Sequence, residues 1–481
     1  MVLLLLLPVI LAFLGGITAF FIRQNKPRHL VVSIAVFSAA ATALLLMFRR
    51  PEDITLLQLG GTLALRFGLD ETGAFFILTD SLIWCLVQFY AFGYMRHEGG
   101  DARFSGFFSL TYGALLALAM AKNAVTLYMC FELMTLFSMP LVLHNGSTRA
   151  RSGAIKYLGY SSFGAALALM GFFLLASGGA SLEFSPGGIS FPSVSNAVLL
   201  SASFLIVMGF GCKAGLVPLQ MWLTEAHPVA PSPASAVLSG IITKGGVLAI
   251  LRVVFYLIGA DVLRGTWVQE TLKILAIVTV FTGSVLALRE QLLKRRLAYS
   301  TISQVSYVLF GLFTLNVSGF VGAMLQILFH ALAKNILFLA AGSIIFSTGF
   351  TRVDELKGIG RKMPVTMWCF AIASLSLIGI PPTGGFVSKW FLAMGALEAG
   401  SAVDFAGLVI LMLSALMTAF YLLPIVTAAF FPGRDFNAGD YREVECKMLL
   451  PVVVFSALVI VFGILPGGFF QWFSSIAERL L

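Results

Sequence analysis

Apolar runs of about 20 residues recur from one end of this sequence to the other, each bounded by charge or by Gly/Pro clusters. A run of that length is what an α-helix needs to cross the roughly 30 Å hydrocarbon core of a bilayer. Inside that core every backbone N–H and C=O must find a partner within protein, so a chain of such runs folds as a helix bundle. Composition agrees, with 59% of the 481 residues hydrophobic and 11% charged, against about 25% charged in an ordinary soluble domain. A water-soluble enzyme is excluded, and the expected fold class is an all-α polytopic membrane protein.

The hydropathy windows predict about fourteen transmembrane helices, the first over 2–22 and the last over 449–465, with single spans over 299–316 and 364–397. The N-terminal run has neither a basic lead nor a small-residue cleavage site, and so reads as a first span rather than a signal peptide. Residues 54–69 alternate around a Gly-Gly pair and predict an extramembrane hairpin. Five cysteines, Cys85, Cys130, Cys212, Cys369 and Cys446, are widely spaced and form no ligand pattern. No iron–sulfur cluster, zinc site, disulfide framework or other cofactor is therefore expected in this chain. It carries no Gly-rich phosphate loop and no catalytic spacing, so no chemistry of its own is expected, and the driving force must come from an ion gradient or a partner.

The net charge of +9 has to be sorted by membrane side before it is read as affinity for anything, and no nucleic-acid partner is expected. Counting Lys and Arg in alternate loops puts 18 on one face, with Arg434 and the clusters at 289–296 and 352–362 among them. The other face receives 7: Arg49, Arg50, Arg66, Lys122, Arg264, Lys273 and Arg479. The bias places the first group in the cytoplasm and both termini outside it, in the cell (inner) membrane of a prokaryote. Six basic residues remain inside or at the ends of helices: Lys156, Lys213, Lys244, Arg252, Lys334 and Lys389. An ionisable residue in a membrane costs about 2.5–3.5 kcal/mol on insertion scales and by default marks an ion or proton pathway. Arg252 reads instead as a side chain snorkelling to the headgroups.

Lys156 and Lys334 lie 178 residues apart and Lys213 and Lys389 176 apart, each pair five helices apart. An odd number of crossings turns the second copy over, so the sequence predicts two inverted five-helix repeats, each containing a broken helix. The breaks are Pro218, after Lys213 in KAGLVPLQMW, and GIPPTGG, before Lys389. The expected organisation is an N-terminal three-helix region with the hairpin (1–103), a first repeat (104–258), a second repeat (272–431) and a C-terminal helix region (432–481). Other polar residues extend the pathway. Glu132 sits mid-span, and Lys213 is its expected ion-pair partner. The second copy has Ser306 and Tyr307 where the first has this acid. His330 and Lys334, at i and i+4, share a helix face. Lys244 lies among small residues as a link between the halves. His227, on a Pro-rich connection, serves either a proton inlet or the loop's own capping, and Asp80 reads as a protonated acid bonded to Thr79 or Ser81.

These residues lie in FELMTLFSMPLVL, KAGLVPLQMWLTEAHPVAPSPASAVLSGIITKGGV, LKRRLAYSTISQVSYVLFG, FHALAKNILFLAAGSI and GIPPTGGFVSKW. Here the chain resembles, over nearly its whole length, the antiporter-like membrane subunits shared by respiratory complex I, energy-converting membrane hydrogenases and Mrp-type cation/proton antiporters. The resemblance implies a hydrophilic axis in which Glu132 modulates Lys213 and protons pass through Lys244 and the His330/Lys334 pair to Lys389, with lesser roles for Lys156 and His227. It also implies other membrane subunits as partners, a redox arm with iron–sulfur proteins in some contexts, and H⁺ or Na⁺ as the ion. The chain ends at Leu481 soon after its last span, like the shorter members, and EAHPVAPSPASA is most similar to the hydrogenase-type and Mrp-type ones. Two other functions compete: a stand-alone secondary transporter coupling a small solute or Na⁺ to protons, and a scaffold whose polar axis no longer conducts. A scaffold would gain stability by losing its embedded charges.

Overall fold

The computed structural model describes residues 2–49, 51–60, 63–179, 181–433 and 441–481; Arg50 and Arg434 of the loop count and Gly61 of the expected hairpin turn lie outside the described residues. The chain opens with α1 (Val2–Phe21) and α2 (Asn25–Arg49), followed by strands β1 (Ile54–Gly60) and β2 (Leu63–Phe67), which pair antiparallel as the expected hairpin. Then come α3 (Glu71–Glu98), α4 (Asp101–Ala119), α5 (Ala124–Val142), α6 (Thr148–Ala176), α7 (Asn196–Ala214) and the short α8 (Met221–Val229). A continuous helical run follows, made of α9 (Ser232–Val237), a π turn, α10 (Thr243–Arg252) and a second π turn, and ends before α11 (Ala260–Leu263). The second half holds α12 (Trp267–Arg289), α13 (Leu293–Phe313), α14 (Val317–Thr348), α15 (Pro364–Ile378), α16 (Gly384–Ala399) and α17 (Ala402–Phe430). The chain closes with α18 (Cys446–Ile464) and α19 (Gly467–Leu480).

Twelve helical stretches among the described residues are long and apolar enough to cross a membrane, and the protein is an all-α, multi-pass membrane protein. Two expected spans take another form. α13 is helical over 21 residues, but Lys294, Arg295, Arg296 and a run of Ser, Thr and Gln lower its hydropathy. The expected span 364–397 is two helices, α15 and α16, separated at Gly379. Side-chain caps start many of the long helices: Asp70, Asn123, Ser147, Ser195, Thr266, Asn316 and Ser401 each accept a backbone N–H from the first turn.

Every residue of Ser232–Ile258 and of 319–344 is buried, so these two stretches form the centre of the bundle. Peripheral helices turn Phe163, Met412 and Phe420 outward, as a chain whose solvent is lipid does. Both expected breaks are present. α7 ends on Gly215 (φ +85°) and α15 on Gly379 (φ +94°), a left-handed backbone that favours glycine, and prolines follow in each break. At the second break a Cβ on Gly385 would sit 1.8 Å from the Ser376 carbonyl oxygen, so only glycine lets α16 restart this close to α15.

Ion pairs sort the helix ends into two faces. Arg28–Asp101, Arg96–Glu445 and Arg295–Glu225 join ends on the face assigned the 18 basic residues, whereas Lys122–Asp70 and Arg479–Glu71 join ends on the other, where Arg66–Glu183 ties the hairpin to the α6–α7 connection. Arg252 does not snorkel: it is fully buried and forms a two-pronged pair with Asp70, the residue that caps α3. Burial alone would raise the Asp70 carboxyl, but the Arg252 guanidinium and the nearby Lys122 outweigh it and hold Asp70 below the ordinary carboxylate range. A folded-state value below the unfolded one stabilises the fold above the unfolded pKa of about 3.9, and that stabilisation is lost as pH falls toward the folded value. Unfolding in mixed micelles between neutral pH and pH 3 is therefore expected to be less acid-sensitive in Asp70→Asn than in the wild type, and equal slopes would refute the coupling.

Candidate functional site

Lys213 lies in the last turn of α7, fully buried, where the break at Gly215 opens the helix. Its amine donates to the hydroxyls of Tyr157 (2.6 Å), Thr135 (2.9 Å) and Ser161 (3.2 Å), and lies 4.1 Å from the Tyr157 ring centroid. The expected ion pair with Glu132 is not formed. Neutral oxygens from α5 and α6 ring the amine instead, while Glu132 leaves one buried carboxyl oxygen without a hydrogen-bond partner. Glu132 shares its helix face with the exposed Met129, Leu133 and Leu136.

From Lys213 a polar line continues through the centre. α10 packs on α7 so closely that a Cβ on Gly246 would lie 3.0 Å from that of Lys213. Two residues earlier, Lys244 donates to the Ser239 carbonyl in the first π turn (2.5 Å). Such turns free a backbone carbonyl from the α-helical ladder. The Ser239 hydroxyl meets that of Thr301 (2.6 Å), and Thr301 donates to the Leu297 carbonyl (2.9 Å). The same carbonyl accepts from Lys334 (2.9 Å), which also donates to Ser300 (2.7 Å). Lys244, His330 and Lys334 are each 1% exposed or less.

On α14, Gln326, His330 and Lys334 succeed one another at i, i+4 and i+8, on one face. Both ring nitrogens of His330 are buried and unbonded among the described residues. Gln326 donates to Gln304 (2.8 Å) and accepts from Ser388 on α16 (2.6 Å). The line ends at Lys389, whose amine donates to the carbonyls of Leu377 and of Ile378 (2.8 Å), the last turn of α15. A cation there meets the partial negative charge of a helix C-terminus. It also lies 5.4 Å from the ring of Tyr307, the residue expected opposite Glu132. A cavity of about 230 Å³, lined by Lys389, Tyr307, Gly379 and Trp390, opens beside it.

The two lesser candidates separate. Lys156 is 47% exposed and pairs with Glu225 (3.0 Å), which also holds Arg295 (3.1 Å); it belongs to a surface ionic cluster, not to the buried line. His227 is fully buried, stacks on Phe338 of α14 and leaves both ring nitrogens unbonded among the described residues. Beside it Lys294 donates to the Ala230 carbonyl (2.8 Å). From sequence alone Lys294 falls in a loop and Gln304, Gln326 and Ser388 do not stand out, because neutral amides and hydroxyls leave no mark on a hydropathy window. The one available signal was the four-residue spacing of Gln326 before His330. Among the described residues no group of three or more His, Cys, Asp or Glu is placed to hold a metal ion.

Fold and site together define a multi-pass membrane protein whose two broken helices bracket a line of buried basic side chains. The chain belongs to the family described as NADH:quinone oxidoreductase/Mrp antiporter, TM, which matches residues 121–418. It is 34% identical to NADH-quinone oxidoreductase subunit N of Desulforudis audaxviator over 77% of this chain and 75% of that one. It is 32% identical to hydrogenase-4 component B of Escherichia coli over 82% of this chain, spanning 62% of that longer protein. Its fold matches a chain of the Mrp complex from Dietzia sp. DQ12-45-1b with a TM-score of 0.85 at 21% identity, covering 99% of this chain and 96% of that one.

Proposed function

We propose that this chain is a proton-translocating, antiporter-like subunit of a multisubunit membrane complex, of hydrogenase or Mrp type in preference to complex I. The observation that carries the proposal is the line from Lys213 through Lys244, Lys334 and His330, all buried, to the half-buried Lys389, built from lysines that donate only to neutral oxygens. An unpaired buried ammonium is costly, and a group that exchanges its proton along hydroxyls, amides and an unbonded imidazole relieves that cost in the neutral state. Glu132 acts on Lys213 through space rather than by contact. His227 and Lys294 supply the line from the face that carries the basic loops. That face is the cytoplasmic one, and the membrane is the inner membrane of a prokaryote. The energy comes from partner subunits, either a redox arm with iron–sulfur proteins or the small membrane chains of an antiporter.

Isolation of the tagged protein from its native membrane in mild detergent, with mass spectrometry of every co-purifying chain, tests the assembly. Partners with iron–sulfur or nickel-binding motifs are expected for a redox-driven pump, and only small hydrophobic partners for an antiporter. A lone chain that catalyses solute flux in vesicles would overturn the proposal in favour of a stand-alone transporter.

A further inference from the structure

One buried carboxyl outside the line stands without a partner among the described residues. Asp80, on α3, is 3% exposed, and its side chain makes no ion pair and no hydrogen bond among the described residues. The partners the sequence suggested are engaged elsewhere: Thr79 donates to the Phe75 carbonyl (2.9 Å), and Ser81 accepts from the Tyr112 hydroxyl of α4 (2.7 Å).

Asp80 is not isolated. Trp84 and Gln88 follow it at i+4 and i+8, on one face of α3, so the three polar groups are spaced about 6 Å apart along the axis. Trp84 and Gln88 are both 0% exposed, and the indole Nε1 and both atoms of the Gln88 amide have no hydrogen-bond partner among the described residues. The Trp84 ring stacks on Tyr112, with centroids 5.5 Å apart, so this face looks onto α4. Further along the same seam, where α3 ends and α4 begins, Ser105 donates to Asp101 (3.2 Å), which also accepts from Arg28 (2.6 Å) and from His29 (2.7 Å), a side chain 20% exposed.

Three buried side chains in one row whose donors and acceptors are unbonded are costly if dry, since each desolvated polar group is left without the hydrogen bond it makes in water. Buried polar groups of this kind are met by internal water, which bonds two to four of them at once. We propose that the α3–α4 seam holds a file of water running from the Arg28/His29/Asp101 cluster past Gln88 and Trp84 to Asp80, and that Asp80 is a proton-binding site on it. The step is a simple transfer: hydronium gives its proton to the carboxylate, leaving water and a neutral carboxylic acid, and the reverse releases it. The seam is a second hydrated route beside the lysine line. It rests on the proton-translocation reading for its purpose, but not for its chemistry.

Infrared difference spectra of the intact complex in lipid nanodiscs, in H₂O and in D₂O, test it. Subtracting Asp80→Asn from wild type is expected to isolate a carboxylic-acid C=O band that moves to lower frequency in D₂O. Should the asparagine variant not assemble, Asp80→Glu displaces the same band without removing it. Gln88→Leu, which keeps the volume and removes the water ligand, is expected to slow that isotope shift. A band that ignores D₂O, no band assignable to Asp80, or exchange untouched by Gln88→Leu would each overturn the inference. A complex that translocates protons with a non-exchanging Asp80 sinks this inference alone. An exchanging Asp80 in a complex indifferent to Lys213→Ala sinks the lysine line and leaves the seam.

Discussion

Lys213→Ala is expected to abolish proton translocation by the reconstituted complex while leaving the chain in the membrane at its usual amount. The amine is the only charged group in its ring of hydroxyls from Thr135, Tyr157 and Ser161, and Tyr157 keeps its bond to Ser138 (2.5 Å) when the lysine is gone. Removal therefore withdraws a proton carrier while Thr135 keeps its bond to the Phe131 carbonyl (3.1 Å) and Ser161 alone of the three loses its partner among the described residues, and the chain loses the cost of a buried ammonium. A positioned group that gives and takes a proton contributes about 10²–10⁴-fold to a rate, so translocation should fall at least a hundredfold, to the background of the vesicles. Lys213→Arg should not rescue it, because guanidinium keeps its proton at any working pH and its planar fork does not fit three converging hydroxyls. Lys156→Ala is the matched control: that lysine is half exposed and paired with Glu225, and its loss should leave most of the rate. The measurement is acidification or alkalinisation of proteoliposomes by a pH-sensitive dye under the complex's own driving force. Undiminished translocation in Lys213→Ala would remove the basis for the proposed function.

What could be read from the sequence divides along physical lines. Spans follow from apolar run length, because the bilayer imposes it, and the two breaks follow from Pro and Gly, because those residues cannot continue a helical ladder. The His330/Lys334 face follows from helical period alone. The choice of partner is a tertiary fact. Glu132 and Lys213 are the obvious opposite charges, yet the packing of α5 and α6 brings Thr135, Tyr157 and Ser161 to the amine instead. Lys156 and Lys334 share a repeat offset but not an environment, one exposed in an ionic cluster and the other fully enclosed. Arg252 and Lys273 look like ordinary ends of helices until Asp70 and Asp404, far away in the chain, are seen to meet them. The polar groups that join one lysine to the next, Ser239, Thr301, Gln304, Gln326 and Ser388, are uncharged and so invisible to a search for embedded charge.

The largest effect on stability is expected at Asp404, not in the line itself. Lys273 on α12 and Asp404 on α17 form a pair at 3.0 Å in which the side chains are 2% and 1% exposed. Asp404 also caps its own helix with Ser401, accepting from that hydroxyl at 2.6 Å. Asp404→Leu leaves the Lys273 ammonium buried, with Glu270 (2.8 Å) as its remaining acid. Breaking a buried pair from one side destabilises by about 3–5 kcal/mol, and because Glu270 still accepts, the lower end, about 3 kcal/mol, is expected here. The charge-free double substitution Lys273→Met/Asp404→Leu should recover most of that loss, since replacing a whole buried pair by apolar groups of similar volume is often neutral. Between them the variants separate two contributions, because the double variant keeps the Ser401 cap but still lacks Asp404's reciprocal half of the capping box, the bond it accepts from the Ser401 backbone. Unfolding by SDS in mixed micelles, read from far-ultraviolet ellipticity, measures all three. A loss within about 0.5 kcal/mol for Asp404→Leu would mean that water reaches the pair as it reaches a surface salt bridge, and that α12 and α17 are held by the Ser284–Ser414 hydroxyl contact (2.6 Å) and the apolar packing around it.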